Sequence, residues 1–258
     1  MNWPLGAKRY GSYGWLLREV GDALGMGPDY NAFDYEEYSR LESIVQRGLR
    51  NFYAPQPLPG ERTGHQWSFL YPTVQIHLAT NTAVYDLPEG FEALTGPITY
   101  DTDQNTFKYR IEITSERAIA QRKSHISLSA IPTHAAVRVK EHDADAEYGT
   151  LYEIVFDPAP NGDYTVNVPV KVAPPFPSEE TDMPYGGEQH YETIRLACLA
   201  AVNPEYQEAY IGRLVTSVGH DRLANAADTL GRNIDTSDGV VVENYRELMD
   251  HVVVYKGY

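Results

Sequence analysis

Apolar residues recur along this chain with two different periods, and the changes of period divide it into segments. Between Ser12 and Leu24, the residues Leu16, Val20 and Leu24 stand four apart with Leu17 beside them. That is a helical stripe, and Gly25 ends it as a left-handed glycine does. Asp34 and Glu37 have the spacing of a capping box, in which each side chain takes a backbone N–H of the other. The helix so opened runs from Tyr35 to Phe52, with Tyr38, Leu41, Val45, Leu49 and Phe52 on one side. Pro55, Pro57, Pro59 and Gly60 close it and begin a loop.

The period then becomes two. Val74, Ile76 and Leu78 alternate with polar residues, as do Tyr109, Ile111 and Ile113, and half-buried strands are expected there. Residues 135–139, 151–156 and 164–172 complete the strands, and a short helix over 115–123 interrupts them. Val166, Val168, Val170 and Val172 fall on one face, with Thr165, Asn167 and Lys171 on the other. One buried and one wet side favours an antiparallel sheet. The connector Asp157-Pro158-Ala159-Pro160-Asn161-Gly162-Asp163 holds an Asn-Gly step, so a hairpin is expected between the last two strands.

Pro174, Pro175 and Pro177 break the pattern again. Residues 188–202 are helical in period, with Ile194, Cys198 and Ala201 on one side and Leu196 and Leu199 near them. Asn203-Pro204 makes a tight turn with proline at a helix start. The helix that follows runs to about Leu230 and carries Tyr210, Leu214, Val218 and Leu223. The fold class is therefore α+β without internal repeats. A helical bundle from the N- and C-terminal helices accompanies an antiparallel β-sheet domain in the middle, with an extended C-terminal tail. The divisions are 1–60 for the first helices, 61–178 for the β domain, 179–230 for the helices completing the bundle, and 231–258 for the tail.

The tail carries two strand-prone islands, Val240-Val241-Val242 and Val252-Val253-Val254-Tyr255. Together with Tyr245, Leu248 and Tyr258 these are the candidate partner-binding residues, because strand addition to another subunit's sheet satisfies backbone and side chains at once. A final strand in the protein's own sheet is the plainer alternative.

Charge narrows the partners. The formal charge is −15, from 21 basic and 36 acidic residues, and no Lys/Arg stripe exists to grip a phosphate backbone. A conventional DNA-binding domain is not expected, whereas an acidic wall past which DNA slides fits the charge. The 20 tyrosines suit surfaces that are buried against a partner and still part wet, or equally a Tyr-rich sheet face. Met1-Asn2-Trp3-Pro4-Leu5-Gly6 has no apolar core behind a basic start, so no signal peptide is expected. No run reaches the ~18 apolar residues of a membrane span. A soluble protein with no membrane partner is expected.

Candidate chemistry is sparse. Cys198 lies in an apolar helical run and reads as a small buried hydrophobe; one cysteine builds neither a disulfide nor a zinc cluster. The cluster Glu141-His142-Asp143-Ala144-Asp145-Ala146-Glu147 offers oxygen ligands but lacks the calcium-loop spacing. A solvated acidic loop between two strands explains it as well. None of His65, His77, His125, His134, His142, His190, His220 and His251 pairs at the helical zinc spacing, and His77 belongs on the wet face of its strand. Ser124-His125 and Gly219-His220-Asp221 invite a triad, but no strained elbow presents a nucleophile. Gly186 and Gly187 precede a helix start flanked by Glu179, Glu180, Asp182 and Glu188, which would repel an anion. No catalytic residue, no metal site and no cofactor is expected, and the chain does not read as an enzyme.

The order of several short motifs carries more. The chain opens with Tyr13-Gly14-Trp15-Leu16-Leu17-Arg18-Glu19-Val20-Gly21-Asp22-Ala23-Leu24-Gly25, and a second helix ends in Gly48-Leu49-Arg50-Asn51-Phe52-Tyr53-Ala54-Pro55. His65-Gln66-Trp67-Ser68-Phe69-Leu70-Tyr71-Pro72 and Tyr85-Asp86-Leu87-Pro88-Glu89-Gly90-Phe91 follow. Phe156-Asp157-Pro158-Ala159-Pro160 and Glu188-Gln189-His190-Tyr191-Glu192-Thr193-Ile194 come later. In that order, across most of residues 12–225, the chain resembles the head-to-tail adaptor proteins of tailed bacteriophages. These are also called connectors, neck or head-completion proteins, and the chain is similar as well to the tubular proteins of short-tailed phages. The motifs are packing and turn motifs, so no catalytic residue carries over.

The resemblance implies a virion protein assembled in the host cytoplasm. It forms a homo-oligomeric ring, commonly of twelve copies, beneath the portal protein and next to the tail or another neck protein. Double-stranded DNA passes through its centre without specific binding, and the C-terminal extension reaches the portal. Twelve copies at −15 each bring −180, and any part of it lining the bore would repel DNA and keep it mobile. A neighbouring neck ring, such as a stopper or tail-completion protein, would share this architecture. From another class, a virion carbohydrate-binding or hydrolytic module would use tyrosines to stack sugars and paired carboxylates to cleave them, and no such pair stands out.

Overall fold

The computed structural model describes residues 10–27, 33–58, 60–101, 110–123, 129–142 and 148–233, with side chains as far as residue 224. The chain is a mixed α and β protein, and it divides into two units: Met1–Ser68 with Phe176–Tyr258, and Phe69–Pro175. Residues 61–68 and 176–178 thus belong with the helices and not with the β domain.

In the first unit, α1 (Tyr13–Ala23) starts at Ser12, whose Oγ accepts from the Trp15 N–H at 3.3 Å. Leu16, Leu17 and Val20 are buried, and Gly25 stands past the end at φ 74°. Helix α2 (Tyr35–Tyr53) has both arms of its capping box, Glu37 N–H to Asp34 at 2.9 Å and Asp34 N–H to Glu37 at 3.2 Å. Such a cap contributes about 1 kcal/mol. The expected stripe Leu41, Val45, Leu49 and Phe52 is buried, with Tyr38 half-buried.

A turn of 3₁₀ helix at Glu188–His190 precedes α4 (Tyr191–Val202), and another at Pro204–Tyr206 precedes α5 (Gln207–Asn233). Asn203 caps the second turn by accepting from Glu205 N–H at 3.0 Å. Helix α4 lies against α1, α2 and α5. It meets α2 at Gly48, where an added Cβ would come within 2.4 Å of the Cys198 Cα. Only hydrogen fits there. Cys198 is fully buried, which pushes its thiol up to about 12 and makes it inert packing.

The second unit is built on one sheet. Its strands are β1 (Thr73–Leu78), β2 (Val84–Asp86), β3 (Phe91–Leu94), β4 (Ile98–Tyr100), β5 (Arg110–Ile113), β6 (His134–His142), β7 (Thr150–Asp157) and β8 (Tyr164–Val172). The strand order is β1-β8-β4-β5-β6-β7-β2, with β3 beside β4 on the same edge of β8. Its core takes Ile76 and Leu78 from β1, Ile98 and Tyr100 from β4, Ile111 from β5, and Ile154 and Phe156 from β7. Val166, Val168, Val170 and Val172 face it together, as their alternation required, while His77 is exposed on the other face. Helix α3 (Glu116–Lys123) covers that outer face at β6 and β7 through Ile119, Ala136 and Val155.

Three strand expectations need correction. The pair β5–β6 is parallel, so the sheet is not wholly antiparallel. Ile113, at the end of β5, is 45% exposed and does not continue the buried face of Ile111; Tyr109 lies outside the described residues. Strands β7 and β8 are not a hairpin: β7 pairs β6 and β2, whereas β8 pairs β1, β3 and β4. Gly162 does not take the positive φ that a two-residue hairpin turn demands. The connector is instead tied to other loops, by Asn81 N–H to Pro160 O at 2.7 Å and Ala130 N–H to Ala159 O at 2.9 Å.

Proline in an interior strand normally argues against the strand, since it cannot donate to the ladder. At Pro169 the C=O accepts from Thr95 N–H, and the absent N–H would face the same junction between β3 and β4. No ladder bond is lost there. The neighbouring Val170 N–H points the other way, to Pro72 O on the β1 side.

Candidate functional site

The buried polar groups gather in the helical unit. Asp221 on α5 is 3% exposed and accepts four contacts from the segment that runs into the sheet unit. His65 Nε2 donates to its Oδ2 at 2.8 Å and Ser68 Oγ donates to its Oδ1 at 2.5 Å. The Ser68 N–H donates to both oxygens, at 3.3 and 3.2 Å. Burial alone would raise this carboxyl. The hydrogen bonds from His65 and Ser68 outweigh it and hold Asp221 below the ordinary aspartate value.

His65, Ser68 and Asp221 have the composition of a triad and the wrong wiring. A serine nucleophile must give its proton to the histidine, which the acid orients. Here the serine and the histidine both spend their donors on the acid, so nothing activates Ser68. The grouping is a clamp. Asp221 is bonded by His65 and Ser68 and not by its sequence neighbour His220, and His125 lies outside the described residues.

Next to the clamp, Trp67 is fully buried between Phe52, His65 and His190, with ring centroids 4.6, 4.8 and 4.9 Å away. Its Nε1–H donates to the Phe52 carbonyl at 2.7 Å. A helix leaves its last four carbonyls without intrahelical partners. At the end of α2 this need is met from outside, by Trp67 at Phe52 and by the Tyr210 hydroxyl at Asn51 O, 2.9 Å. In the other direction, Arg47 of α2 donates to Ala201 O near the end of α4 at 2.7 Å. Each helix end is closed by a side chain from a distant segment.

These partners come from the motifs noted in the sequence. Phe52 belongs to the second of them, Trp67 to the third and His190 to the last, and the three rings meet. The opening motif joins through backbone: Tyr13 N–H donates to Asp182 O at 2.8 Å and Gly14 N–H to Glu180 O at 2.9 Å. Sequence reasoning singled out neither Trp67 nor Asp221 as a partner of His65. A signal was present, since Trp67 and His190 are ring side chains that seek burial and carry polar atoms to satisfy.

A small groove of ≈ 120 Å³ lies beside this joint, lined by Ala54, Leu58, Tyr210, Ile211 and Leu214 among others. In the sheet unit, His142 at the end of β6 contacts Thr150 Oγ1 at 3.0 Å, and Asp143, Asp145 and Glu147 of the acidic loop lie outside the described residues. Among the described residues no group of three or more His, Cys, Asp or Glu is placed to hold a metal ion, and no helix is long and apolar enough to cross a membrane.

The candidate partner-binding residues Val240, Val241, Val242, Tyr245, Leu248, Val252, Val253, Val254, Tyr255 and Tyr258 lie outside the described residues. Residues 231–233, assigned to the tail, still belong to α5. No protein-family model matches the chain, and no curated protein matches it.

Proposed function

We propose that this chain is a structural subunit of a phage neck, a ring that joins the portal to the tail and surrounds part of the DNA passage. One observation supports the reading most. Motifs far apart in sequence, whose order resembles that of head-to-tail adaptors, meet in one solvent-excluded joint made of packing and capping contacts. A dry joint of packing and capping contacts suits a subunit whose work is mechanical joining. In this reading the helices form the bundle of the ring wall, and the tail of residues 231–258 holds a partner, either the portal or a neighbouring subunit.

The test is assembly. Electron microscopy of the purified chain, alone and with portal protein, should show closed rings, commonly twelvefold, and co-purification with portal. Removing residues 239–258 should abolish that co-purification where the tail holds the portal, and ring closure where it holds a neighbouring subunit. A chain that stays monomeric beside the portal, or that closes rings on the portal equally well without its tail, would remove the basis for the proposal.

A further inference from the structure

The sheet unit has two ends, and they are finished differently. Strand β2 is three residues long, and its Asp86 is held by Lys140 of β6 at 2.9 Å. Short length and charge are how natural proteins blunt a sheet edge. Strand β1 has six residues, Thr-Val-Gln-Ile-His-Leu, with no proline, no lysine and no carboxylate, and its register with β8 runs without a bulge. Among the described residues no strand pairs its other side.

The free groups can be identified. Val170 N–H donates to Pro72 O, so alternate residues of β1 after Pro72, namely Val74, Ile76 and Leu78, turn their peptides to β8. Thr73, Gln75 and His77 therefore turn theirs outward. Ala79, next in that series, is already closed: its N–H and its C=O both bond the Tyr85 hydroxyl, at 2.6 and 3.3 Å. A row of three donors and three acceptors remains. Beside it Val74 packs on the core and is only half-buried.

We propose that this edge takes the segment Val252-Val253-Val254-Tyr255 of a neighbouring copy as an added strand. The inference rests on the ring reading and decides between the two partners which that reading leaves to the tail. The chain continues for 25 residues beyond α5, and this run is its longest of β-branched and aromatic residues. At ~3.4 Å per residue these four residues lie within the span from Thr73 to His77. Its alternate valines would extend the core face next to Val74, and the others would stand beside Thr73, Gln75 and His77.

Hydrogen exchange and light scattering on the full chain test this together. In the wild type, the outward amides of Thr73, Gln75 and His77 should exchange about tenfold or more slowly once concentration drives self-association. Replacing Val252, Val253 and Val254 together by serine should remove that protection without touching the described core. Gln75→Pro should do the same, because the N–H it deletes points outward and makes no ladder bond. Protection that is already complete at high dilution would mean that the tail pairs with its own sheet, and would overturn the proposal. So would protection that survives the serine variant. Rings that form normally with the amides of Thr73, Gln75 and His77 unprotected would sink the edge pairing and leave the neck reading standing.

Discussion

The helical unit buries polar groups that bond from one chain segment to another, whereas the sheet unit buries little except hydrocarbon and aromatic surface. Among the described residues the buried polar ones are Ser12, Asp157, His190, Thr193, Ser217 and Asp221, and of these only Asp157 belongs to the sheet. Hydrocarbon burial is non-directional and tolerates exchange of one shape for another of similar volume. Hydrogen bonds in a dry interior are directional, and a group left unmade there costs more than the bond contributes. The sheet should thus be held by amount and the helices by geometry.

The largest expected effect tests the first half. Phe156, fully buried in β7, should cost about 3–5 kcal/mol when replaced by alanine but less than about 1.5 when replaced by leucine. Denaturant unfolding with exchange mapped to the sheet measures both. The counterpart in the helices is Gly48→Ala. Alanine favours a helix by about 1 kcal/mol over glycine, yet here its Cβ meets the Cys198 backbone at 2.4 Å and α4 must move. A net loss of about 1–3 kcal/mol is expected, and a gain would show that the two helices are not in that contact.

That contrast also governs what was legible in the sequence. Helices α1 and α2 were readable to within a residue because Ser12, Asp34 and Glu37 act on neighbours three positions away. Alternation found β1 and β8 for the same local reason. It could not say which strands pair, and the Asn161-Gly162 step pointed to a hairpin that long-range pairing overrides. The parallel pair β5–β6 has no local mark either. Likewise Asp221 was visible only beside His220, its neighbour in sequence, while its partners His65 and Ser68 lie more than 150 positions away.

A smaller effect should appear in acid, in two steps. Burial holds His190 below its ordinary value of 6.5; His220 and His65 add to this and Asp221 opposes it. Its unfolded form takes a proton first, so stability is complete above about pH 6.5 and falls as pH drops below it. Asp221 is depressed below its ordinary 3.8, so its contribution is present above that value and is lost as pH falls through the folded one. His190→Phe, which keeps the ring contacts, should erase the upper step alone. Asp221→Asn should lower stability by roughly 1–3 kcal/mol at neutral pH and erase the lower step. Unfolding free energy followed from pH 8 to pH 3 separates the two.

The smallest effect belongs to the sheet's outer face. There Arg138 on β6 bonds Glu153 on β7 and Glu116 on α3, the latter at 3.0 Å, and looks like a polar tie comparable with the Asp221 clamp. The difference is water. Arg138 and Glu116 are both more than a third exposed, so solvent and salt screen the pair, and the side chains lose freedom in holding it. Glu116→Gln, which breaks the exposed pair and leaves Arg138 on Glu153, should therefore cost less than about 1 kcal/mol, and about 0.5 M salt should shrink even that toward nothing. Asp221→Asn should keep most of its cost in the same salt. If the two variants lost stability equally, and responded to salt alike, burial would not be what sets the helical joint apart from the sheet.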